Sequence, residues 1–129
     1  MQSKAPQALT SREIILSASA ILFCEYGYAG VSMRKIAESC EMKAGSLYHH
    51  FASKDQILTE VLNIGIQKVH AAVAAALSDR PEGALAIDCL RGAILGHLHS
   101  LLENSSFTSA NVRIFRQVPA EVQQGNFEV

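Results

Sequence analysis

The chain has 129 residues, 49% of them hydrophobic, with three prolines, no tryptophan and a formal net charge of −1. That length suits one domain or a small head on a short helical body, and the composition favours a helical globular protein over a disordered or disulfide-stapled one. The near-neutral charge neither demands nor forbids a polyanionic partner, and three widely spaced cysteines, Cys24, Cys40 and Cys89, with no C-x-x-C pair, are expected to stay reduced as small buried apolar residues.

Residues 1–9 read as a flexible polar arm without the apolar stretch of a signal peptide, so a cytoplasmic location is expected. Thr10-x-x-Glu13 is a capping box that opens helix 1, along which Ile14, Ala18, Ile21, Leu22 and Tyr26 recur at helical spacing. Gly27 stops this helix and Gly30 helps turn the chain. Ser32 caps helix 2, whose Met33, Ile36, Ala37 and Cys40 make one apolar face. A tight turn over 40–43 leads into helix 3, about 44–51, with Leu47 and Phe51 facing inward.

Ser53-x-x-Gln56 is a second capping box and starts a long helix 4. Ile57, Leu58, Val61, Leu62, Val69, Ala72, Val73 and Ala76 carry it to Leu77. Pro81 and Gly83 mark a break before helix 5, over roughly 82–103. Asp88, Arg91, His97 and His99 interrupt its apolar run, which argues against a membrane span. Residues 104–106 turn into a sixth helix over about 108–117, and Pro119 points to a seventh beginning at Ala120. No segment alternates with period two, so no strand is expected.

Helices 2 and 3 with their short turn form a helix-turn-helix, whose second helix is shaped for the major groove of DNA. Gly45 lacks a side chain where the start of helix 3 would approach base edges, so the backbone can come close. Ser46 can donate or accept, Lys43 can reach a guanine edge or a phosphate, and Ala44 can touch a thymine methyl. Tyr48, His49 and His50 are consecutive and fan around the helix, so they cannot all be core. Their donors suit phosphate oxygens. Lys54, in the first turn of helix 4, opposes the helix dipole, a mismatch that a phosphate between the ammonium and the helix start would resolve. Ser32 and Arg34 stand where a phosphate across the groove would be.

At these positions the sequence resembles the TetR family of transcriptional regulators. Phe23-x-x-x-Gly27-Tyr28, Met33-Arg34-Lys35-Ile36-Ala37, Gly45-Ser46-Leu47-Tyr48-His49-His50-Phe51 and Ser53-Lys54-Asp55 carry the resemblance, which spans about 11–61. It implies an all-α fold, with a helix-turn-helix DNA-binding head over 1–52 and a helical ligand and dimerisation body over 53–129. It implies a homodimer on a palindromic double-stranded operator, released by a small-molecule effector, and most often a repressor. Carried over by position, the DNA-contacting residues are Ser32, Arg34, Lys43, Ala44, Gly45, Ser46, Tyr48, His49, His50 and Lys54. In such regulators the last two helices form the dimer's four-helix bundle, whereas residues 123–129 here carry no helical apolar stripe. The competing expectation is a helical protein-interaction module that keeps the head's packing without reading DNA.

The body singles out no ligand. His97 and His99 are two residues apart and point to opposite sides of a helix, so no metal site is expected. Gly92-x-x-x-Gly96 in helix 5 allows a close helix approach, within the chain or between copies. The sequence contains no Gly-rich phosphate loop, no H-E-x-x-H and no G-x-S-x-G, so neither an enzyme nor a cofactor is expected.

Overall fold

A computed structural model describes residues 8–79, 81–103 and 105–125. The arm expected at 1–9 falls mostly outside those residues, as does Asn104 of the turn expected at 104–106. The described residues form α1 (Ser11–Tyr26), α2 (Met33–Ser39), α3 (Ala44–His50), α4 (Lys54–Ser78), α5 (Ala86–Leu102), α6 (Ser106–Ile114), a 3-10 turn (Phe115–Gln117) and α7 (Ala120–Gly125), with no strand among them. The fold is all-α.

Three of these helices start where side chains satisfy orphan backbone amides. The Thr10 hydroxyl accepts from the Glu13 amide while the Glu13 carboxylate accepts from the Thr10 amide, a complete capping box. Ser32 accepts from the Lys35 amide at 3.1 Å. Ser53 accepts from the Gln56 amide at 3.2 Å, but the Gln56 side chain accepts from the Ala52 amide at 2.8 Å, one residue before the expected reciprocal partner. Gly27 ends α1 with a φ of +70°, a backbone shape that favours glycine.

The core joins α1–α4 to α6 and α7. Ile15, Phe23, Ile36, Leu47, Phe51, Ile57, Leu58, Val61 and Leu62 pack with Ala110, Ile114, Val118 and Val122 in one cluster. The outcome for α2 and α3 follows the apolar pattern: Ile36, Ala37, Leu47 and Phe51 are buried, with Met33 and Cys40 packed beside them. The outcome for α1 does not. Its buried stripe is Ile15, Leu16, Ser19, Ala20 and Phe23, while Ile14, Ile21 and Tyr26 are exposed. Eight of the ten residues from Ile14 to Phe23 are apolar, so periodicity alone left two faces open.

By length and composition alone α4 could cross a membrane, yet its first half closes this core through Ile57, Leu58, Val61 and Leu62. Its second half crosses α5 at close range. A Cβ on Gly96 would lie 2.9 Å from the Ala72 carbonyl oxygen and 2.9 Å from Ala76 Cβ, so Gly92-x-x-x-Gly96 serves packing within the chain. Gly65 plays the same part toward α6, where an added Cβ would overlap Asn111 and the Phe107 carbonyl. Asn111 Nδ2 donates across that crossing to the Leu62 carbonyl at 3.0 Å.

Two boundaries move from their expected places. Helix α5 begins at Ala86 and not near 82, because Gly83 takes a φ of +86° and the Ala84 amide donates to the Pro81 carbonyl at 3.1 Å, so a turn occupies those residues. Helix α6 spans Ser106–Ile114 and tightens into the 3-10 turn, so the segment expected over 108–117 starts earlier and loses its α geometry at Phe115. The three cysteines are half-buried, not fully buried. Burial raises the pKa of Cys24 and Cys40 above the usual thiol value.

Candidate nucleic-acid interface

Helix α3 is held from behind and open in front. Leu47 and Phe51 are 0% and 1% exposed, whereas Tyr48 on the adjoining face is 54% exposed. Lys43, Ala44, Gly45, Ser46 and His49 are also exposed, and His50 is half-buried. Lys43 precedes the helix in an extended conformation and its side chain makes no capping bond. A Cβ added at Gly45 would meet nothing within 4 Å, and the residue does not have a positive φ. Nothing inside the fold therefore calls for glycine there, although glycine weakens a helix relative to alanine.

Helix α2 contributes the flank. Ser32 is exposed; its oxygen is used by the cap, which leaves the hydroxyl hydrogen to donate elsewhere. Arg34 Nε donates to Glu38 Oε1 at 2.8 Å in a pair whose side chains are 86% and 62% exposed. Such an i,i+4 pair is worth a few tenths of a kcal/mol and yields readily to a phosphate. Lys35 lies over the Tyr26 ring, its ammonium 3.1 Å from the centroid.

Lys54 is the residue whose surroundings differ from expectation. Its ammonium turns inward and donates to the Tyr28 carbonyl and the Val31 carbonyl, each at 2.9 Å, and lies 3.9 Å from the centroid of the Tyr28 ring. The cation at the start of α4 is balanced by loop carbonyls and an aromatic face within the chain, which removes the argument that a phosphate must balance it. Lys54 fastens α4 to the α1–α2 loop.

Two further fasteners escape a reading by local motif. Arg12 Nη1 donates to the His50 carbonyl at 2.8 Å, at the end of α3. Its other nitrogen pairs with Glu60 on α4, and its guanidinium carbon lies 4.2 Å from the Phe51 ring centroid. The Tyr28 hydroxyl donates to Asp55, and burial with this bond pushes the phenol pKa up to about 12. A signal for Arg12 was available: like Lys54, it is a cation in the first turn of a helix, against the dipole. Its partners are 38 and 48 residues away, which no local motif encodes. Gln117 closes the loop from the other side, accepting from the Tyr28 amide at 3.3 Å.

Away from this face, His97 lines a cleft between α4, α5 and α6, while His99 faces a different cleft and pairs with Glu103 at 3.1 Å. No group of three metal-ligating side chains gathers among the described residues.

Residues 15–61 match the family model described as bacterial regulatory proteins, tetR family. These residues form a TetR-type head. That head is similar to the transcriptional repressor KstR2 of Mycolicibacterium smegmatis, 41% identical over 56 residues, 43% of this chain and 27% of that one. It is similar also to the transcriptional regulator UidR of Escherichia coli, 36% identical over 62 residues, 48% of this chain and 32% of that one. Beyond the head the likeness is structural. AibR, solved with isovaleryl coenzyme A and operator DNA, superposes with a TM-score of 0.79 at 25% identity, covering 91% of this chain and 62% of that one. The chain thus spans about a third or less of these two curated relatives, and under two thirds of that solved structure.

Proposed function

We propose that the chain is a sequence-specific DNA-binding transcriptional regulator, a repressor that works as a homodimer on a palindromic operator in the cytoplasm. The observation that carries this reading is the exposed front of α3. Lys43, Ala44, Gly45, Ser46, Tyr48 and His49 are exposed on a helix clamped from behind, with a glycine that no internal contact requires. Residues 1–52 would read DNA and residues 53–129 would regulate that reading. Ser32, Arg34, Lys43, Tyr48, His49 and His50 would hold phosphates and set register, while Ala44, Gly45 and Ser46 would approach base edges, with Lys43 reaching either. Lys54 would support the interface from behind. Two heads would enter successive major grooves about 34–36 Å apart.

Release by a small-molecule effector has its own support. A cavity of about 450 Å³ between α4, α5 and α6 is lined mainly by Ile66, Val69, Val73, Leu101 and Val112, with His70, His97 and Asn111 at its polar points. Its size and lining suit a small, largely apolar ligand. Thr108 Oγ1, in the same wall, is buried without a hydrogen-bond partner among the described residues, and such groups in native proteins call for an explanation. An effector oxygen or nitrogen would satisfy it. Any effector acts only through a difference in its affinity for the DNA-competent and released states.

The test is selection from a random duplex pool, followed by titration of the recovered sequence at several salt concentrations. Enrichment of a two-fold symmetric site, with affinity falling steeply as salt rises, is the expected result. Failure to enrich any sequence, or binding indifferent to sequence, would end the reading.

A further inference from the structure

The start of α6 gathers hydrogen-bond donors around one corner of the fold. Ser105, at its N-cap, makes no capping bond with its side chain. An α-helix leaves its first amides without intrahelical partners and carries a partial positive charge at that end. Lys68 of α4 adds a full charge there. Its ammonium donates to Ser105 Oγ at 3.2 Å, lies 5.2 Å from the centroid of the Phe107 ring, and makes no ion pair among the described residues. Thr108, in the first turn of α6, is 1% exposed, and its Oγ1 has no hydrogen-bond partner among the described residues.

Lys68, Ser105, Phe107 and Thr108 line one cleft of about 1280 Å³ between α1, α4, α5 and α6. It is a different space from the effector cavity, with which it shares Thr108. A hydroxyl donates one bond and can accept others, so Thr108 can serve a ligand on each side.

We propose that this corner binds the carboxylate of a small amphipathic molecule, at a site separate from the effector cavity. Lys68, the Ser105 and Thr108 hydroxyls and the first amides of α6 are its donors, a set that suits an oxyanion. Thr108 separates this corner from an ordinary helix start. A buried hydroxyl without a partner is unfavourable, and an oxyanion in the cleft supplies the missing acceptor. Charge selects the head group. One ammonium balances one negative charge, and Glu103, a carboxylate on the same cleft held by His99 at 3.1 Å, disfavours a second, so a carboxylate fits better than a phosphate dianion. The lining selects the body. Ala71, Ala75 and Ala76 of α4, with Ile21 and Leu95 beside them, form an apolar wall of mostly small side chains, which suits an aliphatic chain.

The experiment is isothermal titration calorimetry of the full chain, without DNA, with sodium octanoate as the probe. Octanoate is expected to bind at least tenfold more tightly than octanol, which lacks the charge, or inorganic phosphate, which lacks the apolar body. Lys68→Met should weaken octanoate binding by about tenfold or more, the scale of a hydrogen bond to a charged group. Thr108→Val should weaken it by about threefold or more, yet unfold in urea at the same concentration as wild type or higher, because it removes a hydroxyl that the fold leaves unsatisfied. A threonine with a purely structural role would unfold earlier on that change. Lys35→Met, which removes the lysine over Tyr26, should leave the isotherm unchanged. Absence of octanoate binding, octanol or phosphate binding as tightly as octanoate, or full octanoate affinity in either Lys68→Met or Thr108→Val would overturn the proposal. Affinity lost in His97→Gln but kept in Lys68→Met would also overturn it, and would put the carboxylate in the effector cavity instead. Because no DNA is present, none of these failures touches the DNA reading, and a failed operator selection leaves this site standing.

Discussion

Replacing Gly45 with alanine should push stability and DNA affinity in opposite directions. The glycine lies in the first turn of α3 with no positive φ, and a Cβ there meets no atom within 4 Å. The substitution thus adds no strain inside the protein, while it removes backbone freedom from the unfolded chain. Gly→Ala at such a site stabilises by about 0.4–1 kcal/mol. On DNA the same methyl group would stand where the backbone approaches the bases. Forcing an extra carbon into a close-packed contact costs typically about 1–3 kcal/mol, roughly five- to 150-fold in Kd. Urea unfolding measures the first quantity and anisotropy titration of a labelled operator duplex the second. If Gly45→Ala unfolds more easily, the open space at this position has been misread. If it binds the operator as tightly as wild type, α3 does not approach bases through its backbone at this point.

Other outcomes follow from the clamps behind α3. Arg12→Ala removes the donor to the His50 carbonyl and the Glu60 pair together, so it should cost about 1–3 kcal/mol of stability and loosen operator binding while the chain remains helical. A double-mutant cycle with Glu60→Gln should return coupling between the two, and purely additive effects would count against a shared clamp. Lys54→Ala should lower stability by a similar amount and leave the salt dependence of binding unchanged, whereas Arg34→Ala should reduce the salt slope by about one unit; a slope change at Lys54 would restore a direct phosphate contact. Tyr28 supplies a pH signature. Its folded pKa, about 12, lies above the ordinary phenol value of 10.0, so the hydroxyl's contribution is complete below pH 10 and is lost as pH rises through 12. After allowance for solvent screening at this half-exposed site, the loss is on the order of 1 kcal/mol, and Tyr28→Phe should abolish this pH-dependent part of the loss seen in alkaline urea titrations.

The helix-turn-helix was legible because its determinants are local. Ser32 and Ser53 announce helix starts through bonds three residues long, and the apolar positions of α2 and α3 admit one inward face. Helix α1 was harder, since Ile14 and Ile15, then Ile21, Leu22 and Phe23, stand side by side and offer competing stripes. Helix α5 misleads a reader for the opposite reason. Its apolar pattern is strong, but the residues buried within the chain are the small ones, Gly96 and Ser100. For the site, exposure of Tyr48 and His49 followed from their consecutive placement. The inward turn of Lys54 did not, because it depends on which carbonyls of the α1–α2 loop are left without partners. Arg12 depends on the meeting of three helices far apart in sequence.

The hydrophobic cluster behind α3 does not stop where α3 stops. Phe51 and Leu47 share it with Ile57, Leu58, Val61 and Leu62, and the Arg12–Glu60 pair lies at the same depth along α4. Anyone transplanting this DNA-reading unit onto a foreign body would need to carry the chain through Leu62. A graft cut after Ala52 would strand Arg12 without its carboxylate and open Leu47 and Phe51 to water, so the new chimera would inherit a reading surface with nothing to brace it.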